Sequence, residues 1–445
     1  MLIGGKMIKV LLLPFYSDGY DERIIQEQIA DTVNYFKALN MEVDPAEPIK
    51  TVKQAEMAEL KYNPASYGMV IIFPVTWASP TLAVYSARQF VGKPAIVYSI
   101  SEFQDDGGRL EMSSAPAAAA IKGVMRELGM DCAFISRGPG NDEAAVADEI
   151  KCYAAAAEAV YKLRHTRIGC FGMYFNGISS SDMDASSVRR LFGAELISFD
   201  VSELLSRMNS LAPDDDVYKE ANIMLSSKTS GCPDEYLDTV VRMTAAFLTY
   251  IREYDLTAIN VRCHSELCES YGVSACLALS VLGDEYTTSC EADIPVCLTQ
   301  VMLNALTDKV SPYVDLRAYD SEGITVASCG YAPSSLCCDF PVKVCTEAGG
   351  FLTNMSCFKE GEMTLARLVK DGPGLKIHVV TGTAEGRVEV LREYGCPIYP
   401  MTRVVLDSSV KEFRERVSGN HYAFVYGNTA DRLGIACRML GITEL

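Results

Sequence analysis

AINVRCHSELCESYGVSACLALSVLGDEYTTSCEADIPVCL, residues 258–298, reads as one βαβ unit with acids at the ends of both strands. Ala258 to Cys263 alternates apolar and polar side chains as a half-buried strand does, Tyr271 to Leu282 has helical periodicity, and Tyr286 to Cys290 is a second short strand. A right-handed crossover makes the strands parallel and brings their C-terminal ends to one edge. Glu266 and Glu269 follow the first strand and Glu291 and Asp293 the second. Carboxylates one βαβ repeat apart can therefore converge where open parallel sheets bind their ligands.

The unit belongs to a longer alternation. Strands at Arg167–Phe171 and Glu195–Phe199, a long amphipathic helix Asp234–Tyr254 before the unit and a helix Pro295–Leu306 after it make a middle α/β domain, residues 166–311. Residues 1–165 read as an earlier α/β domain, with strands Ile8–Phe15, Gly68–Phe73 and Pro94–Ile100 and helices Asp21–Leu39 and Ala115–Leu128. From Pro312 the pattern changes to short strands separated by Gly, Pro and Ser, such as Ile324–Ser328, Leu375–Thr381 and Arg403–Leu406, closed by a helix Asp431–Leu440. The expected fold class is α/β: two doubly wound parallel-sheet domains followed by a mainly β C-terminal domain, residues 312–445. Residues 166–311 carry the acids.

Composition narrows the function. The chain has 445 residues, 22% charged and 49% apolar, as in an ordinary globular enzyme, and a formal charge of -18 argues against a nucleic-acid partner. No apolar run approaches a membrane span, so no membrane partner is expected. The start has no basic segment, apolar run and cleavage site in the order of a secretory signal, which points to the cytoplasm; Met7, just before the first strand, is an alternative start. In that compartment the 16 cysteines are expected reduced and mostly buried as small apolar groups. Cys263 and Cys268, then Cys337, Cys338 and Cys345, lack the paired CxxC knuckles of structural zinc. Four histidines, His165, His264, His378 and His421, are too few for a histidine-rich metal cage. The glycines of Gly4 to Lys6 precede the first strand instead of following it, which rules out a phosphate loop there.

Two carboxylates and one imidazole suit a hard or borderline divalent ion. Glu266 and Asp293 are the leading pair. The competing reading makes acids after strands helix caps that satisfy free N–H groups, which fits Glu269 best and leaves Glu291 and Asp293 balanced between the two. His421, between a Ser-Gly-Asn turn and an apolar strand, is a ligand, an acid–base group or a surface residue; His264, beside Glu266, competes as ligand or substrate contact, and His378 in LKIHVV reads as structural. Trp77, in FPVTWASP after a buried strand, either stacks on a sugar ring at the ligand edge or packs at a domain contact. Asp315 in PYVDL and Tyr16 to Asp18 are weaker candidates of the same kind.

The order of motifs VRCHSELCESYG, SCEADIPVCLT, PYVDL, ASCGYAP, GCPIYP and GNHYAFVYG resembles the L-fucose isomerase and L-arabinose isomerase superfamily, most specifically at CEAD and the terminal GNH. That resemblance implies a Mn²⁺-dependent aldose–ketose isomerase of three domains in a homo-oligomer, often a hexamer, acting on a small-molecule sugar through a cis-enediol. It implies Glu266 (or Glu269), Asp293 and His421 as metal ligands, with Glu266 and Asp293 also as proton-transfer groups; Trp77, His264 and Asp315 are the substrate-contact candidates from their own positions in the chain. Ser328 stands where many relatives have a histidine, His264 where they have a Trp, and Tyr20 where a basic residue often follows Asp-Gly, so sugar recognition is expected to differ from that of fucose. The alternatives are a non-catalytic sugar-binding relative, or another enediolate reaction such as epimerisation.

Overall fold

The computed structural model describes residues 8–100, 112–173, 177–230, 232–339, 342–345, 351–372, 374–386 and 400–445, with the side chains of His264, Ser265 and Cys345 outside that description. The chain forms two compact units, residues 3–161 and 162–445. Among the described residues no helix is long and apolar enough to cross a membrane.

In the first unit, β1 (Lys9–Phe15), β2 (Glu42–Pro45), β3 (Met69–Pro74), β4 (Ala95–Ile100) and β5 (Cys132–Arg137) form an all-parallel sheet in the order β2-β1-β3-β4-β5. The three central strands are buried on both faces, which is why they read as unbroken apolar runs. Strands β2 and β5 are half-exposed edges with mixed composition, and periodicity alone does not reveal them. The strand order reverses between β1 and β3, and the loops after those strands meet there: Ser17 N–H donates to Thr76 Oγ1 at 3.0 Å. Trp77 is the next residue, 46% exposed.

The second unit begins with another parallel sheet, β6 (Arg167–Phe171), β7 (Glu195–Phe199), β8 (Ala258–Val261) and β9 (Thr287–Cys290), in the order β7-β6-β8-β9. The polar strand TTSC is fully buried, and its neighbours supply partners. Asn304 Nδ2 donates to Thr287 Oγ1 at 2.7 Å, Thr288 Oγ1 to the Leu279 carbonyl at 3.1 Å, and Gln300 Nε2 to the Thr288 carbonyl at 2.9 Å. The opening segment departs from simple periodicity after β8. Arg262 N–H makes one more bond, to the Phe171 carbonyl, before Cys263–Ser270 winds as a π-helix. Gly272, at φ 67°, turns the chain into the helix Cys276–Leu282.

Downstream, β10 (Tyr313–Tyr319), β11 (Gly323–Ala327), the ribbon β12 (Val342–Cys345) and β13 (Phe351–Asn354), β14 (Gly361–Asp371), β15 (Gly374–Ala384), β16 (Met401–Leu406), β17 (His421–Tyr426) and β18 (Thr443–Glu444) follow. The order β14-β17-β10-β11-β16-β15 with a further β14–β15 pairing closes an antiparallel ring of six strands, and β18 adds parallel to β15. Closure removes the exposed edges. Its interior holds Val314, Val326, Leu365, Val404, Tyr422 and Phe424. The helix Ile294–Thr307, which leaves β9, packs on β14 and β17, so the end of the parallel sheet faces barrel strands.

Candidate metal and active site

Glu291 and Ala292 leave β9 in consecutive left-handed conformations, at φ 59° and 53°, a backbone that non-glycine residues rarely adopt and that commonly marks a functional turn. Asp293 then caps the helix Ile294–Thr307, accepting the Val296 N–H on Oδ1 at 2.9 Å. The capping role weighed for this residue is therefore real, but it uses only one oxygen. Asp293 Oδ2 accepts from Ser181 Oγ at 2.8 Å and Arg367 Nη1 at 3.0 Å, and lies 2.8 Å from His421 Nδ1. Burial alone would raise this carboxyl's pKa. The Arg367 guanidinium and the His421 ring instead hold it well below the usual carboxylate range.

The second nitrogen of His421 faces two more acids. Nε2 lies 3.1 Å from Glu291 Oε2 and 3.2 Å from Asp315 Oδ1, close enough for strong attraction but without the alignment of a hydrogen bond to either. Asp315 reaches this point because β10 and β17 pair with Asp315 opposite His421. Asn420 Nδ2 donates to Asp315 Oδ1 at 3.1 Å, and Arg317 Nη2 lies 3.4 Å from its other oxygen. Tyr313 stacks edge-on against the imidazole with centroids 4.7 Å apart. Burial would lower the pKa of His421, but Asp293, Asp315 and Glu291 raise it to about 11, so without another cation the ring itself carries positive charge. Three buried carboxylates around one imidazole form a donor set suited to a divalent ion: oxygen atoms, a ring nitrogen, and excess negative charge.

Arg367 is the residue that sequence reasoning missed. It is 1% exposed, and besides Asp293 it donates to the carbonyls of His421 at 2.8 Å and Ser180 at 3.1 Å. Its signal was a cation inside the apolar run of GEMTLARLVKD, which demands a buried anion. Gly419, two residues before His421, lies directly against the guanidinium, where a Cβ would collide with it.

Asp293, Asp315 and His421 are thus brought together, and Glu291 joins them. Glu266 sits on the π-helix with Oε2 4.0 Å from Arg262 Nη1, lying against Gly172 at the end of β6. That is the switch point of the second sheet, between β6 and β8. Among the described residues no hydrogen bond or ion pair joins Glu266 to Asp293 or His421. Glu269 is exposed, Ser328 is buried with its hydroxyl on the Tyr313 carbonyl at 2.7 Å, and the His264 side chain lies outside the described residues. Trp77 lies in the other unit, at the switch point of its own sheet. His378 is structural, as expected: buried, with Nδ1 2.7 Å from the Tyr422 hydroxyl.

No protein-family model matches the chain. It is similar to sulfoquinovose isomerases: 25% identical over 349 residues to that of Alkalicoccus urumqiensis, covering 76% of this chain and 77% of the relative. The enzyme of a Clostridium species (strain MSTE9) is 25% identical over 385 residues, 84% of each chain. That of Priestia megaterium is 24% identical over 452 aligned positions, 97% of this chain and 98% of the relative. The likeness is therefore to sugar isomerases and spans both compact units; it does not single out the fucose and arabinose isomerases. A solute-binding protein from Burkholderia multivorans aligns at a TM-score of 0.19 and 13% identity over 68% of this chain, too slight a likeness to bear on fold or function.

Proposed function

Taking the chain as an aldose–ketose isomerase, an intramolecular oxidoreductase like its relatives, we propose that its reaction is centred on a divalent cation, Mn²⁺ or a similar ion, held by Glu291, Asp315 and His421 Nε2. The observation that carries this reading is the His421 ring. Its Nδ1 is anchored on a buried carboxylate, while its buried Nε2 faces two carboxylate oxygens with no aligned partner. An imidazole fixed by a carboxylate behind it and open toward acids in front is how protein metal sites orient a histidine ligand. In this reading Asp293, the leading ligand candidate from the sequence, orients the histidine instead, and Arg367 keeps Asp293 ionised.

A bound divalent cation would supply positive charge opposite the oxygen that becomes anionic as the C2 proton leaves. The remaining work falls to the chain. Glu266, half-exposed at the sheet's switch point and outside the buried network, is the carboxylate we assign to taking the C2 proton of the open-chain sugar and returning it to C1. The hydroxyl proton lost from one oxygen is regained by its neighbour, so aldose becomes ketose with no change in composition. Sulfoquinovose, the sugar for which the relatives are named, is the first substrate to test.

The test is incubation of Mn²⁺-loaded protein in deuterated water with sulfoquinovose, other anionic sugars, fucose and arabinose. Interconversion of aldose and ketose with solvent deuterium at the exchanged carbon is expected for at least one. Absence of exchange with every sugar contradicts the reading.

A further inference from the structure

We propose that Cys329 is a further ligand of this cation site and biases it toward thiophilic divalent ions such as Co²⁺, Zn²⁺ or Fe²⁺ over Mg²⁺; the proposal rests on the Glu291, Asp315 and His421 reading above. The ligand atoms of Glu291, Asp315 and Cys329 all lie within 4.8 Å of one another. Cys329 Sγ is 3.3 Å from Glu291 Oε1, and the other oxygen of the same carboxylate is 3.1 Å from His421 Nε2. Sulfur, oxygen and nitrogen ligands about 2.0–2.3 Å from one ion stand roughly 3–3.6 Å apart. The 3.3 Å Cys329–Glu291 and 3.1 Å Glu291–His421 spacings fall in that range, and the fully buried Nε2 without an aligned partner points at Glu291 and Asp315.

The thiol is held there by its backbone. Ser328 N–H donates to the Pro400 carbonyl at 2.9 Å and its hydroxyl to the Tyr313 carbonyl at 2.7 Å, which pins the turn after β11 to β10. Gly330 follows at φ 85°, with Thr353 packed where a Cβ would stand, so the residue after Cys329 has to be glycine. The turn thereby presents the sulfur at the carboxylate pair. On cation binding the S–H proton leaves to solvent and a sulfur–metal bond forms, with no change in oxidation state. Thiolate ligands favour softer ions, whereas an all-oxygen and imidazole set would accept Mn²⁺ or Mg²⁺ readily.

The experiment uses the full chain, stripped with chelator and titrated with Co²⁺. Cation content is read by elemental analysis after dialysis, and absorption is followed through the near ultraviolet and visible. Expected are one Co²⁺ per chain, a near-ultraviolet sulfur-to-cobalt charge-transfer band, and loss of that band in Cys329→Ser, which still takes up Co²⁺ about tenfold more weakly. Unchanged far-ultraviolet circular dichroism checks that the variant is folded. Stoichiometric Co²⁺ with no band, or with a band that Cys329→Ser keeps, overturns the role of Cys329 and leaves the three-residue site standing. Failure of the folded wild-type chain to retain Co²⁺, Zn²⁺ or Mn²⁺ overturns the site itself, and this proposal with it.

Discussion

Replacing Arg367 with Met keeps most of the aliphatic stem and removes the charge, leaving the fully buried Asp293 carboxylate with His421 as its one ionisable partner. The lost attraction across 3.0 Å amounts to about 5 kcal/mol at an effective dielectric near 20. Two carbonyls, of His421 and Ser180, also lose their donor. Removal of one partner from a buried pair costs about 3–5 kcal/mol. With a urea dependence of about 3 kcal/mol/M, the midpoint for Arg367→Met should fall by at least about 1 M, followed by circular dichroism. The double variant Arg367→Met/Asp293→Asn removes both charges and should recover part of that loss, giving a coupling energy of about 2 kcal/mol or more. A midpoint within about 0.3 M of wild type for Arg367→Met, or a double variant no more stable than the single one, would refute the view of Arg367 as the buried counter-ion.

Gly419→Ala places a methyl group against the same guanidinium and should cost about 1–3 kcal/mol, read as a lowered thermal midpoint; an unchanged midpoint would show that the turn can yield. Burial and the nearby Arg416 depress the pKa of His378 to about 4, so this ring stays neutral when folded while its unfolded counterpart protonates near 6.5. Its contribution is present above the unfolded value and is lost as pH falls from about 6.5 toward 4, by at most about 3 kcal/mol; His378→Leu should flatten that part of the stability profile, and an equally steep profile would contradict the assignment. Glu266→Gln should lower kcat by at least about 100-fold while leaving bound metal unchanged, whereas Glu291→Gln should lose metal; loss of metal in Glu266→Gln would return that residue to the ligand set.

Periodicity and strand-end position carried a large part of this architecture. The fully buried runs of β1, β3 and β4, the helix Asp234–Tyr254 and the acids following β8 and β9 were legible because burial on both faces and parallel connection leave direct marks on sequence. The division of labour among the acids was not. It depends on two consecutive left-handed residues, Glu291 and Ala292, which send neighbouring carboxylates to opposite nitrogens of one imidazole. No propensity predicts that for a Glu-Ala pair. Asp315 looked like a minor loop acid because its place beside His421 is set by register: it pairs with that residue across β10 and β17, more than a hundred residues downstream. Arg367 sits in a strand buried without interruption from Met363 to Leu368, which calls for a buried anion but gives no clue to which one it meets. The π-helix Cys263–Ser270 likewise escaped, since its winding interrupts the period by which helices are read.

The most direct test is anomalous diffraction from crystals of the Mn²⁺-loaded protein at the manganese edge. A single peak roughly 2.0–2.3 Å from oxygens of Glu291 and Asp315 and from His421 Nε2, with Asp293 still bonded to Nδ1, is the predicted result. A peak coordinated by Glu266 and Asp293, or no peak at this end of the sheet, would contradict the account.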